Sequence, residues 1–198
     1  LVDSLYHAQL LNEIAYHYKM SKQPIKSLEY ELHYLEATLQ FHHELFPIYS
    51  REFGFIEKTD DSNQSEILDQ FDRIRREIEG LERKHQNHKD FQLLVLRFLY
   101  LEGRYAIRTG NYQQGMDNIQ QVIASAKELQ QMDFLLEGYR QMIYYCIQTE
   151  NIPEMRYYTE LALDASIQDN NHEAIAINLR LKGLYHLMIG DEEQSLHH

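Results

Sequence analysis

Tryptophan is absent from this chain, and there is one cysteine, three prolines and eight glycines among 198 residues. A single cysteine, Cys146, excludes an internal disulfide and fits a reducing compartment. The shortage of proline and glycine removes the usual punctuation of all-β chains and favours helices. No apolar run approaches the length of a membrane span, and mean hydropathy is -0.56, so no membrane partner is expected. Nothing at the start has the layout of a signal peptide. Positive charge is also scarce. Nineteen Lys and Arg stand against 31 Asp and Glu, a formal charge of -12, which repels a nucleic-acid backbone and excludes direct nucleic-acid binding by this chain.

What is abundant is Leu, Glu, Gln and Tyr, arranged with an internal repeat. The segment from Leu99 through Gly103, Gly110-Asn111 and Gly115 to Val122 recurs as Tyr139, Ile143, Glu150-Asn151, Met155 and Ala162. It recurs again as Leu179, Gly183, Gly190-Asp191 and Ser195, so the turns at 110, 150 and 190 are 40 residues apart. Each unit reads as a helix, a turn and a second helix, with Gly115, Met155 or Ser195 facing the first helix. Such hairpins stack because none buries its own apolar face. A weaker unit lies at the start, with Asn12 to Tyr18 as first helix, Ser21 to Pro24 as turn and Ser27 at the small position.

Between the two lies a different pattern. Leu28, Leu32, Leu35, Leu39, His42, Phe46, Tyr49, Phe53 and Ile56 advance in steps of four and three, as do Ile67, Phe71, Ile74, Ile78, Leu81, His85 and His88. Sustained spacing of this kind is the seam of a coiled coil, here a hairpin of 25–57 with 63–88 turning at Thr59 to Ser65, with Asn63 and Glu66 capping the second helix. Long repeat helices with Pro47 at a junction fit the pattern equally. The organisation expected is residues 1–88 as N-terminal helices and 89–198 as 40-residue repeats.

The repeat resembles the tetratricopeptide family. Gly103 and Gly183 match its first small position, Gly110 and Gly190 its turn, and Ala162 its late alanine, whereas Ile143, Glu150 and Met155 depart from it. The resemblance implies an all-α superhelix of hairpins, one continuous α-solenoid with a longer helical pair in the first third. It also implies a ligand-binding concave surface lined by first helices. Transferred to this chain, lining positions include Arg97, Tyr100, Arg104 and Arg108, then Arg140, Tyr144 and Gln148 with Glu137, then Arg180. The weaker first unit adds Asn12, Tyr16 and Lys19. Five of the eight basic residues after position 90 fall on these positions. Guanidinium groups match carboxylates in paired geometry, so the expected ligand is a short peptide or protein tail carrying carboxylate groups, with Arg104 exposed at the centre.

The 40-residue period and Tyr-rich helices are similar to the sensor domains of Gram-positive peptide-pheromone regulators, the Rap, NprR, PlcR and Rgg group. That similarity implies a cytoplasmic receptor in transcription regulation or quorum sensing, any DNA-binding domain preceding Leu1. A protein scaffold, or a Rap-like regulator acting on a response regulator, remains the alternative, and a homodimer is left open. No catalytic motif or cofactor loop is visible, so neither enzyme activity nor a cofactor is expected. His42, His43, His85 and His88 lack the carboxylate or cysteine that would complete a zinc site. Asp61, Asn63, Ser65, Asp69 and Asp72 have calcium-loop offsets without its glycine and final glutamate. No metal is expected, and Cys146 reads as a core residue.

Overall fold

The structure is a computed structural model and describes residues 2–39 and 61–191. It is all-α. Eight helices and no strand occur among the described residues: α1 Val2–Met20, α2 Pro24–Leu39, α3 Asp61–His85, α4 Lys89–Arg108, α5 Tyr112–Glu128, α6 Met132–Gln148, α7 Ile152–Gln168 and α8 His172–Met188. The chain divides inside α4 into two compact units, Leu1–Val95 and Leu96–His198.

In the first unit α1 packs on α2, and α2 on α3. The 4-3 stripe supplies the apolar face: Leu28, Leu32, Leu35 and Leu39 of α2 are buried, as are Ile67, Phe71, Ile74 and Ile78 of α3. Ser27, at the small position, is fully buried and donates its hydroxyl to the carbonyl of Ala15 (3.1 Å), which lets α1 and α2 approach closely. Tyr18 stacks on Tyr30 with ring centres 5.4 Å apart. The remainder of the expected hairpin arm, including His42, His43 and the start of the turn at Thr59, falls outside the described residues. The expected turn is nevertheless too long. Residues 61–65 are already helical, so Asn63 stands within α3 rather than at its cap. At the other end α3 stops at His85, and His88 lies in the connection to α4.

The second unit has a shorter period than the sequence suggests. Its helices start at residues 112, 132, 152 and 172, and the residue with positive φ recurs at Gly110, Gln130, Glu150, Asn170 and Gly190. Each of these turns closes with the same two hydrogen bonds. At the first, Asn111 N–H donates to the Ala106 carbonyl (2.8 Å) and Gly110 N–H to that of Ile107 (3.2 Å). The equivalent pairs recur at 130–131, 150–151, 170–171 and 190–191. This is the Schellman ending, which satisfies carbonyls that the last helical turn leaves unpaired. The 40-residue repeat is therefore two successive 20-residue helix-turn units. Asn151 and Asn171 then cap α7 and α8 by accepting from the backbone N–H of Glu154 (3.4 Å) and Ala174 (3.0 Å).

Three of the five left-handed positions carry a side chain whose Cβ crowds the neighbouring carbonyl. Exposed Glu150, at φ +55°, joins its turn through its backbone N–H, which donates to the Ile147 carbonyl. Glu150→Gly is expected to stabilise the unit by about 0.5–1 kcal/mol, read as a higher midpoint in urea denaturation. An unchanged or lower midpoint would mean that the turn is not held left-handed.

Glycine sets the spacing where α4 meets α5. A Cβ on Gly103 would lie 2.9 Å from Ile119 Cδ1, and one on Gly115 would lie 2.9 Å from the backbone nitrogen of Ile107. The match of Gly115 to a close-packing position is thus met, while Met155, its counterpart 40 residues on, is itself fully buried. Ser195 lies outside the described residues. Polar pins cross the same interfaces: Asn118 of α5 donates to the Glu102 carboxylate of α4 (2.8 Å), and Asn178 of α8 to the Ala162 carbonyl of α7 (2.9 Å).

Candidate functional site

In the second unit α4 and α6 bring together four of the residues expected to line a site. Tyr100, one turn before Arg104 on α4, is buried, and its hydroxyl accepts from Arg104 Nη1 (3.2 Å) while donating to Glu137 Oε2 on α6 (3.1 Å). Arg140, one turn after Glu137, holds the other oxygen of that carboxylate at 2.9 Å. The Tyr100 ring also meets Phe134 edge-on, with centres 5.9 Å apart. Burial, and then the neighbouring Glu137 charge, push the Tyr100 phenol well above its ordinary range, so it stays a neutral hydroxyl. Arg140 thus pairs with the Glu137 carboxylate directly, and Arg104 reaches it through the Tyr100 hydroxyl. The Arg140 side chain is 13% exposed, and its buried Nε–H meets no acceptor among the described residues.

Three other expectations change. Tyr144 is only 4% exposed and belongs to the core. The whole of α6 is buried on two sides by α5 and α7, so a tyrosine four residues from Arg140 is covered although it shares the same stripe. Tyr100 likewise contributes its hydroxyl rather than an open ring. Arg104 is half-buried and bonded to Tyr100, so Arg104→Glu would disturb packing as well as charge and is not a clean surface substitution. Arg108, Gln148 and Arg180 are exposed, and Arg97 is half-buried.

Asn12, Tyr16 and Lys19 belong to the first unit and line a separate cleft of about 370 Å³ together with Glu31 of α2 and Arg73 of α3. Lys19 Nζ stands 3.7 Å from Glu31 Oε1 and 3.4 Å from Glu77 Oε2, and Arg73 Nη2 stands 3.7 Å from Glu31 Oε2. The Glu31 side chain is 5% exposed. Its carboxyl is raised above the ordinary range by burial first and Glu77 second, against the opposing pull of Arg73 and Lys19. Sequence reasoning passed over Glu31. The signal was present, because it sits three residues after Leu28 and four before Leu35, on the buried stripe of α2.

A raised carboxyl means that the folded state disfavours the charged form. Whatever stability the proton-bearing form contributes is complete below the unfolded pKa and is lost as pH rises through the folded one. Glu31→Gln, which keeps the shape without the charge, is therefore expected to stabilise the protein at about pH 8 and to matter less at about pH 5. Melting curves of both proteins at the two pH values test this. A constant difference would show that Glu31 titrates as it does in the unfolded chain.

No family model matches the chain, and no curated protein or solved structure is significantly similar to it. The chemistry is accordingly read from the side chains. Among the described residues no three His, Cys, Asp or Glu side chains converge as metal ligands. His85 and His88 face one another with ring centres 6.2 Å apart. Cys146 is fully buried, and burial pushes its thiol up to about 12, which keeps it protonated and inert as a nucleophile. No helix among the described residues is long and apolar enough to cross a membrane.

Proposed function

We propose that the second unit recognises a short extended peptide through carboxylate groups, as the ligand-sensing part of a regulatory protein. The observation that carries this reading is the cluster of Arg104, Tyr100, Glu137 and Arg140, in which Arg140 holds the internal carboxylate and the Tyr100 hydroxyl links it to Arg104. A ligand carboxylate is drawn to this pair of arginines, while exposed Arg108 and Arg180 extend the positive charge along α4 and α8. In this reading the hairpins stack as a tetratricopeptide-like superhelix and the protein works in the cytoplasm, in the manner of the peptide-pheromone sensors that the repeat resembles.

Fluorescence polarisation with short acidic peptides, carrying free or amidated C-termini and measured at two salt concentrations, tests the proposal. Saturable binding that weakens with salt supports it. Arg108→Glu and Arg180→Glu are exposed changes expected to alter stability by no more than about 0.5 kcal/mol, so their effect on affinity is interpretable. Each is expected to weaken binding. Undiminished affinity in both variants moves the site elsewhere, and no binding by any peptide sinks the peptide reading in favour of a protein scaffold.

A further inference from the structure

The first unit carries a second concavity, independent of the proposed peptide face. Next to the Asn12 cleft, α1 and α3 border a shallow, open depression of about 680 Å³ lined by Lys19, Arg73, Arg76, Glu77, Gly80 and Leu81. Three cations stand there with Glu77, and Glu31 lies behind two of them, in a chain whose formal charge is -12. The cations are loosely held. Lys19 and Arg73 lie 3.4–3.7 Å from their acidic partners, against about 2.7–2.9 Å for a good charge-assisted bond, and their side chains remain 56% and 47% exposed. Arg76 donates its Nε–H to the Asp72 carbonyl (3.1 Å).

Gly80 is the second observation. It lies inside α3 and is exposed, with nothing within 4 Å of the place a Cβ would take. Glycine in a helix interior weakens the helix, and no close approach or left-handed backbone requires it here. What its missing side chain does is leave the wall of the cleft open between Arg76 and Leu81.

We infer that this cleft binds a doubly charged oxyanion of the phosphate type, held by Lys19, Arg73 and Arg76 over the open wall at Gly80. Three cations against Glu77 and Glu31 leave one positive charge, and the two that a dianion needs appear once Glu31 takes up a proton. A single carboxylate would leave one unmatched. Glu31, behind Lys19 and Arg73, is the internal counter-ion that the ligand replaces, and its buried Oε2 has no hydrogen-bond partner among the described residues. On ligand binding Glu31 is relieved of both cations and is more readily protonated. The other titratable groups around the two clefts are Glu13, Tyr16 and His17 of α1.

The test is titration of the full chain with inorganic phosphate against sodium chloride of equal ionic strength, followed by amide shifts in NMR spectra at one fixed pH. Saturable shifts centred on Lys19, Arg73 and Arg76, with phosphate but not chloride, are expected. Arg73→Gln and Arg76→Gln should each weaken binding by about tenfold, the loss of one charge-assisted contact. Gly80→Leu should raise the melting temperature, since leucine is a far better helix former, and abolish binding by filling the wall. Gly80→Ala should keep binding. A phosphoserine peptide that binds more tightly than inorganic phosphate identifies a phosphorylated partner as the source, and one that binds no more tightly identifies free phosphate. Identical responses to phosphate and chloride, or full binding in Gly80→Leu, would overturn the inference.

Discussion

Leu35→Asp is expected to collapse the helicity of the first unit. Leu35 is 0% exposed, with Leu28 and Leu32 equally buried on the same stripe of α2 and Phe71 and Ile74 buried on α3, the helix that α2 packs against. Truncating such a leucine to alanine alone costs about 2–5 kcal/mol. Aspartate adds the burial of a carboxyl group, which must either stay protonated or draw water into the core. The sum is comparable to the whole stability of a domain, about 5–15 kcal/mol. Far-UV circular dichroism should show lost helix content at neutral pH, with partial recovery on acidification as the aspartate takes up a proton. An unchanged melting curve would remove the seam from the core.

Gly115→Ala is expected to destabilise the second unit even though alanine is the better helix former. Helix propensity alone favours alanine by about 1 kcal/mol. Against this, the new methyl would lie 2.6 Å from Ile107 Cγ1, 2.9 Å from the Ile107 backbone nitrogen and 3.1 Å from the Gly103 carbonyl oxygen. Two of those atoms are backbone of α4, so no rotamer change relieves the contact and α5 must move away. Overpacking of this kind costs about 1–3 kcal/mol, and the backbone contacts place Gly115 toward the upper end, for a net loss of about 1–2 kcal/mol. Gly80→Ala, the same chemical change in open space, should gain stability. Urea denaturation of the two variants side by side decides the matter, and a gain at Gly115 would mean that α4 and α5 are farther apart than described.

The helical character, the 4-3 stripe and the hairpin turns at Gly110 and Gly190 were legible because they depend on local chemistry: apolar spacing and residues that accept left-handed backbone. The half-period was not. The turn at Glu150 was read from its place in the repeat, but Gln130, at the half-period, adopts the same backbone as Gly110 with a side chain that advertises nothing of it. At the candidate site, Tyr100, Arg104 and Arg140, which the tetratricopeptide resemblance sets on one lining surface, come together around Glu137. Phase cannot separate a lining residue from a core one on a helix covered from both sides, which is why Tyr144 was misplaced. Nor does spacing say that Glu137 would both pair with Arg140 and accept from the Tyr100 hydroxyl, since the second contact joins α4 to α6 across 37 positions of sequence. Residues 40–60, where His42 and His43 fall, lie outside the description.

The recurring Schellman turn bears on how a chain of this kind changes length. Every break point from residue 110 to 190 presents the same pair of hydrogen bonds and the same left-handed residue. A duplication or excision of forty residues between any two alternate turns therefore rejoins helices whose ends are already satisfied, and restores the original alternation. A step of twenty preserves the turn but puts a helix of the α5 kind where one of the α6 kind stood, and the arginine stripe loses its phase. Growth of the array by whole hairpins is thus conservative, and growth by single helices is not.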